Sequence, residues 1–179
     1  RSTDNGASFS NVNSPRSSTL YGVTFGNNTF VAVGSSGDIV RSTDNGSNWS
    51  WDNTTSPITT DLKGVTFGNN TFVGVGDSGK IVRSTDNGSS FDNATSGISQ
   101  DFQGITFGNN TFVAVGDSGK IVRSTDNGSS WNNPTSGISQ DFQGITFGHN
   151  TFVGVGDSGK IVRSTDNGSS WNNSTSPIT

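Results

Sequence analysis

The chain has 179 residues, of which ten are Lys or Arg, fourteen are Asp and one is His, giving a net charge of -4. There is no Cys, which excludes a disulfide framework, a thiolate metal site and a cysteine nucleophile. Mild acidity with scattered basic residues excludes a nucleic-acid partner, and no apolar run approaches the roughly 20 residues of a membrane span.

Only 27% of the residues are hydrophobic, so the core must be lean. Disorder at this composition normally comes with high net charge and no periodicity. Here the apolar residues recur in register. RSTDNG begins at Arg1, Arg41, Arg83, Arg123 and Arg163, at spacings of 40, 42, 40 and 40 residues. A fixed period of this length signals a propeller, a solenoid or an array.

Residues 1–19 match the second half of a unit, and fuller units follow at 20–61, 62–101, 102–141 and 142–179. The whole reads as one repeat domain, 1–179. The start at Arg1, without Met or a recognisable signal segment, reads as a processed or excised stretch.

Within the unit at 102–141, Gly104 to Gly108 alternates apolar and polar residues, as a strand does. Asn109-Asn110 predicts a tight hairpin, because Asn tolerates positive φ. Thr111 to Val115 is apolar on both faces, the mark of a strand covered on both sides. Asp117-Ser118-Gly119-Lys120 predicts a second turn, with Gly119 left-handed and Asp117 closing it as an Asx turn. Ile121 to Ser124 predicts a third strand. Asp126-Asn127-Gly128 then turns the chain into a short fourth strand around Trp131. No helical period appears. Four short strands per unit, covered on both faces, predict an all-β fold, a β-propeller of four blades plus an N-terminal half blade. A β-solenoid is the alternative, but its coils are shorter and lack three hairpin turns each.

Ser124 to Trp131 has the pattern S-x-D-x-G-x-x-W, which resembles the Asp-box. The five copies place Asp4, Gly6 and Phe9; Asp44, Gly46 and Trp49; Asp86, Gly88 and Phe91; Asp126, Gly128 and Trp131; and Asp166, Gly168 and Trp171. The longer pattern of Phe102, Ile105, Phe107, Ala114-Val115-Gly116, Gly119, Ile121 and Arg123 is similar to BNR-like propeller repeats of the photosystem-assembly-factor and sialidase type. That resemblance implies a propeller with the box in the turn between the two outer strands. Turn chemistry gives the box a structural role: the carboxylate accepts turn amides, Gly supplies the backbone freedom, and the aromatic packs on a neighbouring strand.

A sialidase, which the resemblance invites, needs an arginine triad, a Tyr–Glu pair and an Asp acid. The chain has no Glu and only Tyr21, and Arg41, Arg83, Arg123 and Arg163 occupy equivalent repeat positions. No catalytic set is expected, and no cofactor. Asp77, Asp117 and Asp157 supply one carboxylate per turn, too few oxygens for calcium, so no metal site is expected. His149 replaces an Asn in one hairpin and reads as loop drift. Asn-x-Ser/Thr sequons make Asn27, Asn53, Asn69, Asn93, Asn109 and Asn173 candidate glycan acceptors if the chain is secreted. The half repeat at 1–19 leaves a two-strand ribbon with an open edge, which predicts self-association into an oligomer or filament through these residues. The leading expectation is a non-enzymatic extracellular or cell-surface scaffold. The alternatives are a multivalent carbohydrate-binding module, and an engineered or recently amplified propeller without a specific ligand.

Overall fold

The computed structural model describes residues 1–14, 17–49 and 56–175. In chain order, β1 (Leu20–Gly26), β2 (Thr29–Gly34) and β3 (Ile39–Ser42) form the first sheet. The second comprises β4 (Leu62–Gly68), β5 (Thr71–Gly76), β6 (Lys80–Ser84) and β7 (Asp92–Thr95). The third comprises β8 (Phe102–Gly108), β9 (Thr111–Gly116) and β10 (Ile121–Ser124). The fourth comprises β11 (Phe142–Gly148), β12 (Thr151–Gly156), β13 (Lys160–Ser164) and β14 (Asn172–Thr175). All pairings are antiparallel between sequential strands. The only helical segments among the described residues are single 3-10 turns, and no helix is long and apolar enough to cross a membrane.

The turns follow from their residues. Asn109 and Asn110 sit at φ 48° and 57°, the paired left-handed geometry whose twist matches a two-residue hairpin. His149 keeps that geometry at φ 48°. In the second turn Gly119 is left-handed at φ 67°, as expected, but so is Ser118 at φ 55°. The Asp117 carboxylate does not close this turn. The Lys120 N–H closes it, donating to the Asp117 carbonyl at 3.1 Å, while the carboxylate accepts from Gln103 Nε2 at 3.0 Å. Asp157 does the same with Gln143, and Asp77 lies 3.7 Å from Lys63 Nζ.

The fourth strand is displaced from the sequence expectation. It starts one residue after the box aromatic, as β7 and β14. In the third unit it is reduced to two isolated bridges, Lys120 with Thr135 and Arg123 with Asn132. The reason is Pro134. In the second sheet Ile81 pairs with Ala94, and the equivalent of Ala94 here is Pro134, which has no N–H for the ladder. Residues 1–14 keep one feature of a third-to-fourth strand pair: the Arg1 and Ser10 backbones exchange hydrogen bonds of 2.7 and 2.9 Å.

Hydrophobic cores lie between sheets, not within one. Val31, Val33, Ile39 and Ile58 on one side meet Leu62, Phe72, Val82 and Phe91 on the other. Val73, Val75 and Ile81 likewise meet Phe102, Phe112 and Val122. Val113, Val115 and Ile121 meet Phe142, Phe152, Val162 and Trp171. Each such fully buried side chain contributes about 1.5–3 kcal/mol. The first strands β1, β4, β8 and β11 run side by side along the array. Their approach is set by one seat per interface: the rings of Phe67, Phe107 and Phe147 lie over Gly26, Gly68 and Gly108 of the preceding sheet, where a Cβ would overlap the ring. Each seated Phe also pairs across its own hairpin, as Phe107 with Phe112 at 4.6 Å between centroids.

Among the described residues the two ends of the array have no neighbouring sheet. Val155 is 45% exposed where its counterpart Val115 is 0%, and Gly148 has nothing within 4 Å of a Cβ position. At the other end Val23 and Phe25 are 62% and 50% exposed.

Replacing Gly68 by Ala is expected to destabilise the fold by about 1–3 kcal/mol through overpacking against Phe107. The same change at Gly148 is expected to stay within about 0.5 kcal/mol, since the site is open. Urea unfolding midpoints of the two variants check the difference.

Candidate functional site

The Asp-Asn-Gly turn recurs with one hydrogen-bond pattern. Asp126 Oδ1 accepts from Ser124 Oγ at 2.8 Å and from the Ser130 N–H at 2.9 Å. Its Oδ2 accepts from Ser130 Oγ at 2.6 Å. The buried Ser124 Oγ also accepts the Gly128 N–H at 2.8 Å, which closes the loop. Gly128 is left-handed at φ 78°, and Trp131 Nε1 donates back to its carbonyl at 3.1 Å. Asp4, Asp44, Asp86 and Asp166 hold the corresponding bonds. Gly6, Gly46, Gly88 and Gly168 take the same positive φ. The turn sits between the third and fourth strands in the second and fourth sheets.

The aromatics that follow behave in two ways. Phe91 and Trp171 are buried and Trp131 is packed between sheets. Trp49 borders the open face of the first sheet, and Phe9 is 77% exposed.

These hydrogen bonds favour the ionised carboxylate. The Ser130 hydroxyl and N–H hold Asp126 down to about 2, and Ser170 does the same for Asp166. Asp4 is held at about 2 by Ser8, and Asp44 by the Asn48 N–H and side chain. For Asp86, burial pushes upward but the Ser90 and Ser84 bonds outweigh it, so the net direction is down. Asp77 goes the other way, raised by burial. None of the box carboxylates is held protonated, as a general acid would need to be.

A second set of polar contacts joins each sheet to the next. Arg41, Arg83 and Arg123 Nε donate to the carbonyls of Asn87, Asn127 and Asn167, at 2.8, 2.6 and 2.6 Å. The arginines are thus distributed along the array, one per interface, as their equivalent positions predict. Asn87 and Asn167 Nδ2 donate to the hydroxyls of Thr29 and Thr111 in the preceding sheet. Asp61, Asp101 and Asp141 accept the N–H of Ser36, Ser78 and Ser118, at 2.9, 2.7 and 2.7 Å, again one unit back. The sequence reading missed these three carboxylates. Their recurrence at the head of each first strand was the signal available.

Of the candidate glycan acceptors, Asn93 and Asn173 lie exposed on the outer strands β7 and β14. Asn27, Asn69 and Asn109 are exposed in hairpins. The amides of Asn27 and Asn69 already donate to Asn87 and Asn127, at 3.2 and 3.1 Å. Asn53 lies outside the described residues. Among the described residues no three His, Cys, Asp or Glu side chains gather for a metal ion. Two cavities repeat at equivalent places: about 170 Å³ beside Ser78, Lys80 and Asn93, and about 180 Å³ beside Ser118, Lys120 and Asn133.

Comparison of the sequence with protein-family models and with curated proteins gives no match. Solved structures do match. YCF48 bound to a D1 peptide superposes with a TM-score of 0.72 at 17% identity, over 92% of this chain and 56% of that one. An ancestral GH74 enzyme gives 0.73 at 22% identity, over 89% of this chain and 24% of that one. The computationally designed Ika4 protein gives 0.68 at 14% identity, over 83% of this chain and 92% of that one. The four sheets, arrayed by their first strands, define a β-propeller fold. The chain spans just over half the length of the YCF48 chain it resembles.

Ser124→Ala is expected to cost about 1–3 kcal/mol, because it strips the buried Gly128 N–H of its acceptor. Denaturant unfolding measures it. Four box carboxylates, Asp4, Asp44, Asp126 and Asp166, are held down from the ordinary 3.8 to about 2 in the folded chain, and Asp86 is lowered too. Depressed values stabilise above the unfolded pKa, and that stability is lost as pH falls through the folded one. The melting temperature should hold steady above about pH 4 and fall steeply from there towards pH 2.

Proposed function

We propose that the chain is a non-enzymatic propeller of Asp-box units, with four blades at 20–61, 62–101, 102–141 and 142–179 and a half blade at 1–19. It serves as a repetitive structural or assembly scaffold outside the cytoplasm, on a cell surface or in the extracellular space. The observation that carries this reading is where the unit's charged groups go. The described box Asp and the Arg at three of four full units are used within a turn or across one interface, in the same way each time. Catalysis by two carboxylates or by an arginine triad requires unlike groups to converge. The exposed sequon asparagines of the outer strands favour a secreted location.

In this reading residues 1–19 are an assembly device. Their Arg1–Ser10 pair presents a short ribbon, and Phe9 stands exposed beside it. Such a ribbon gains stability by joining strands of another copy. Native mass over a concentration series tests it. The full chain should assemble and the chain lacking residues 1–19 should stay monomeric; assembly of both would remove this role for the half blade.

The repeated cavities beside Lys80 and Lys120 favour a second reading, a multivalent carbohydrate-binding module in which equivalent weak sites gain avidity. Saturable sugar binding above one per chain, without polymerisation, would support it over the scaffold. YCF48 carries a peptide in its solved complex, so a peptide array belongs in the same screen. The likeness to Ika4 favours a third reading, a designed or recently amplified propeller without a specific ligand.

A further inference from the structure

The three interfaces between neighbouring sheets are built alike, residue for residue. In each, a Phe of the following sheet covers a Gly of the preceding one: Phe67 on Gly26, Phe107 on Gly68, Phe147 on Gly108. In each, the turn glycine of the following sheet packs on a valine of the preceding one: Gly88 on Val31, Gly128 on Val73, Gly168 on Val113. An Arg of the preceding sheet donates to the turn Asn carbonyl of the following one.

The chain also carries the two halves of a fourth such interface, one at each end. Among the described residues the fourth sheet offers Gly148 with nothing within 4 Å of its Cβ position, Val155 half exposed, and an exposed Arg163 with no inter-sheet bond. The first sheet offers Phe25 half exposed, exposed Asn45, and a buried Gly46, whose nearest neighbour at a Cβ position among the described residues is its own unit's Trp49 at 3.9 Å. Residues 12–14 border that face without filling it. A cavity of about 370 Å³ remains between Val12 and Ser14 and the face made by Leu20, Val23, Val40 and Trp49.

We propose that the fourth sheet of one copy docks on the first sheet of a second copy, repeating the internal interface between chains. Phe25 of the second copy covers Gly148, its Gly46 packs on Val153, and its Asn45 carbonyl accepts from Arg163. Val155 and Ile161 enter the cavity and displace residues 12–14. The occupant is a second copy because the Phe, turn Gly and turn Asn that the open end lacks are present, in matching register, at the other end of the same chain. One contact is not reproduced: Thr19 stands where the following units carry Asp61, Asp101 and Asp141, so the Ser158 N–H meets no carboxylate. The contact is head-to-tail, so it propagates until the rotation closes a ring. The inference shares with the scaffold reading only the premise that copies associate, and it does not need residues 1–19.

Two single variants and their mixture test it by sedimentation velocity on the otherwise full chain. Gly148→Leu fills the seat without touching its own fold, and Phe25→Ala removes the ring that would occupy it. Each alone should weaken association roughly tenfold or more, the loss expected on removing a buried aromatic anchor. Each variant keeps one intact end, so an equimolar mixture should form a 1:1 dimer and nothing larger. The melting temperature of dilute Gly148→Leu should match the parent, which separates lost docking from lost folding; Phe25→Ala also loses its ring contact with Phe30, 4.6 Å between centroids, so a modest drop is expected there while the monomer stays folded. A parent chain that stays monomeric at all concentrations, or association unaffected by both variants, overturns the proposal. If deleting residues 1–19 abolishes assembly while Gly148→Leu does not, the half-blade route stands and this one falls. If Gly148→Leu abolishes assembly and the deletion does not, the reverse holds.

Discussion

The seat of a phenylalanine ring over a glycine of the preceding sheet governs the whole array. It lets the first strands run close enough for the valines and isoleucines behind them to meet. A chain with only 27% hydrophobic residues could not cover both faces of a broad sheet. Four narrow sheets stacked face to face need only a few apolar side chains each. Phe72, Phe112 and Phe152 then reach full burial, and the lean composition suffices.

Polar groups divide into those that act within a unit and those that act between units. The box carboxylates satisfy their own turn and would do so in an isolated hairpin, as Asp4 does at the exposed N-terminal end. The arginines and the carboxylates of Asp61, Asp101 and Asp141 have their partners one unit away. Stability in such an array is close to a sum of unit and nearest-neighbour terms. Interior sheets gain two interfaces and terminal sheets gain one. The exposed Val155 and Phe25 are the direct sign of that difference.

The functional reading follows from the same division. A catalytic centre concentrates unlike groups at one place, whereas this unit distributes like groups around an axis. What repeats on the surface are cavities beside Lys80 and Lys120, and at the ends Val155 and Phe25 stay half exposed. These features suit association and multivalent binding. The neighbouring structures include a peptide complex, an enzyme and a designed protein, so the fold alone does not choose among roles.

Period, the first three strands of each unit and hairpin chemistry were legible from the sequence, because they rest on local backbone preference. Asn109-Asn110 could hardly do anything but turn, and Gly128 supplies the freedom its own turn requires. The position of the fourth strand and its loss at Pro134 were less legible, since pairing depends on which strand edge the residue meets. The Asp117 carboxylate was misread as a turn closer because its true partner, Gln103, is brought to it only by the hairpin fold. The sequence by itself determined a repeating unit of three strands and the Asp-Asn-Gly turn that follows them. Only the tertiary structure decided which glycine receives which phenylalanine, which arginine reaches which carbonyl, and that Val155 and Phe25 stay half exposed at the two ends of the array. Those contacts join residues some forty positions apart, and no local preference of the chain can specify them.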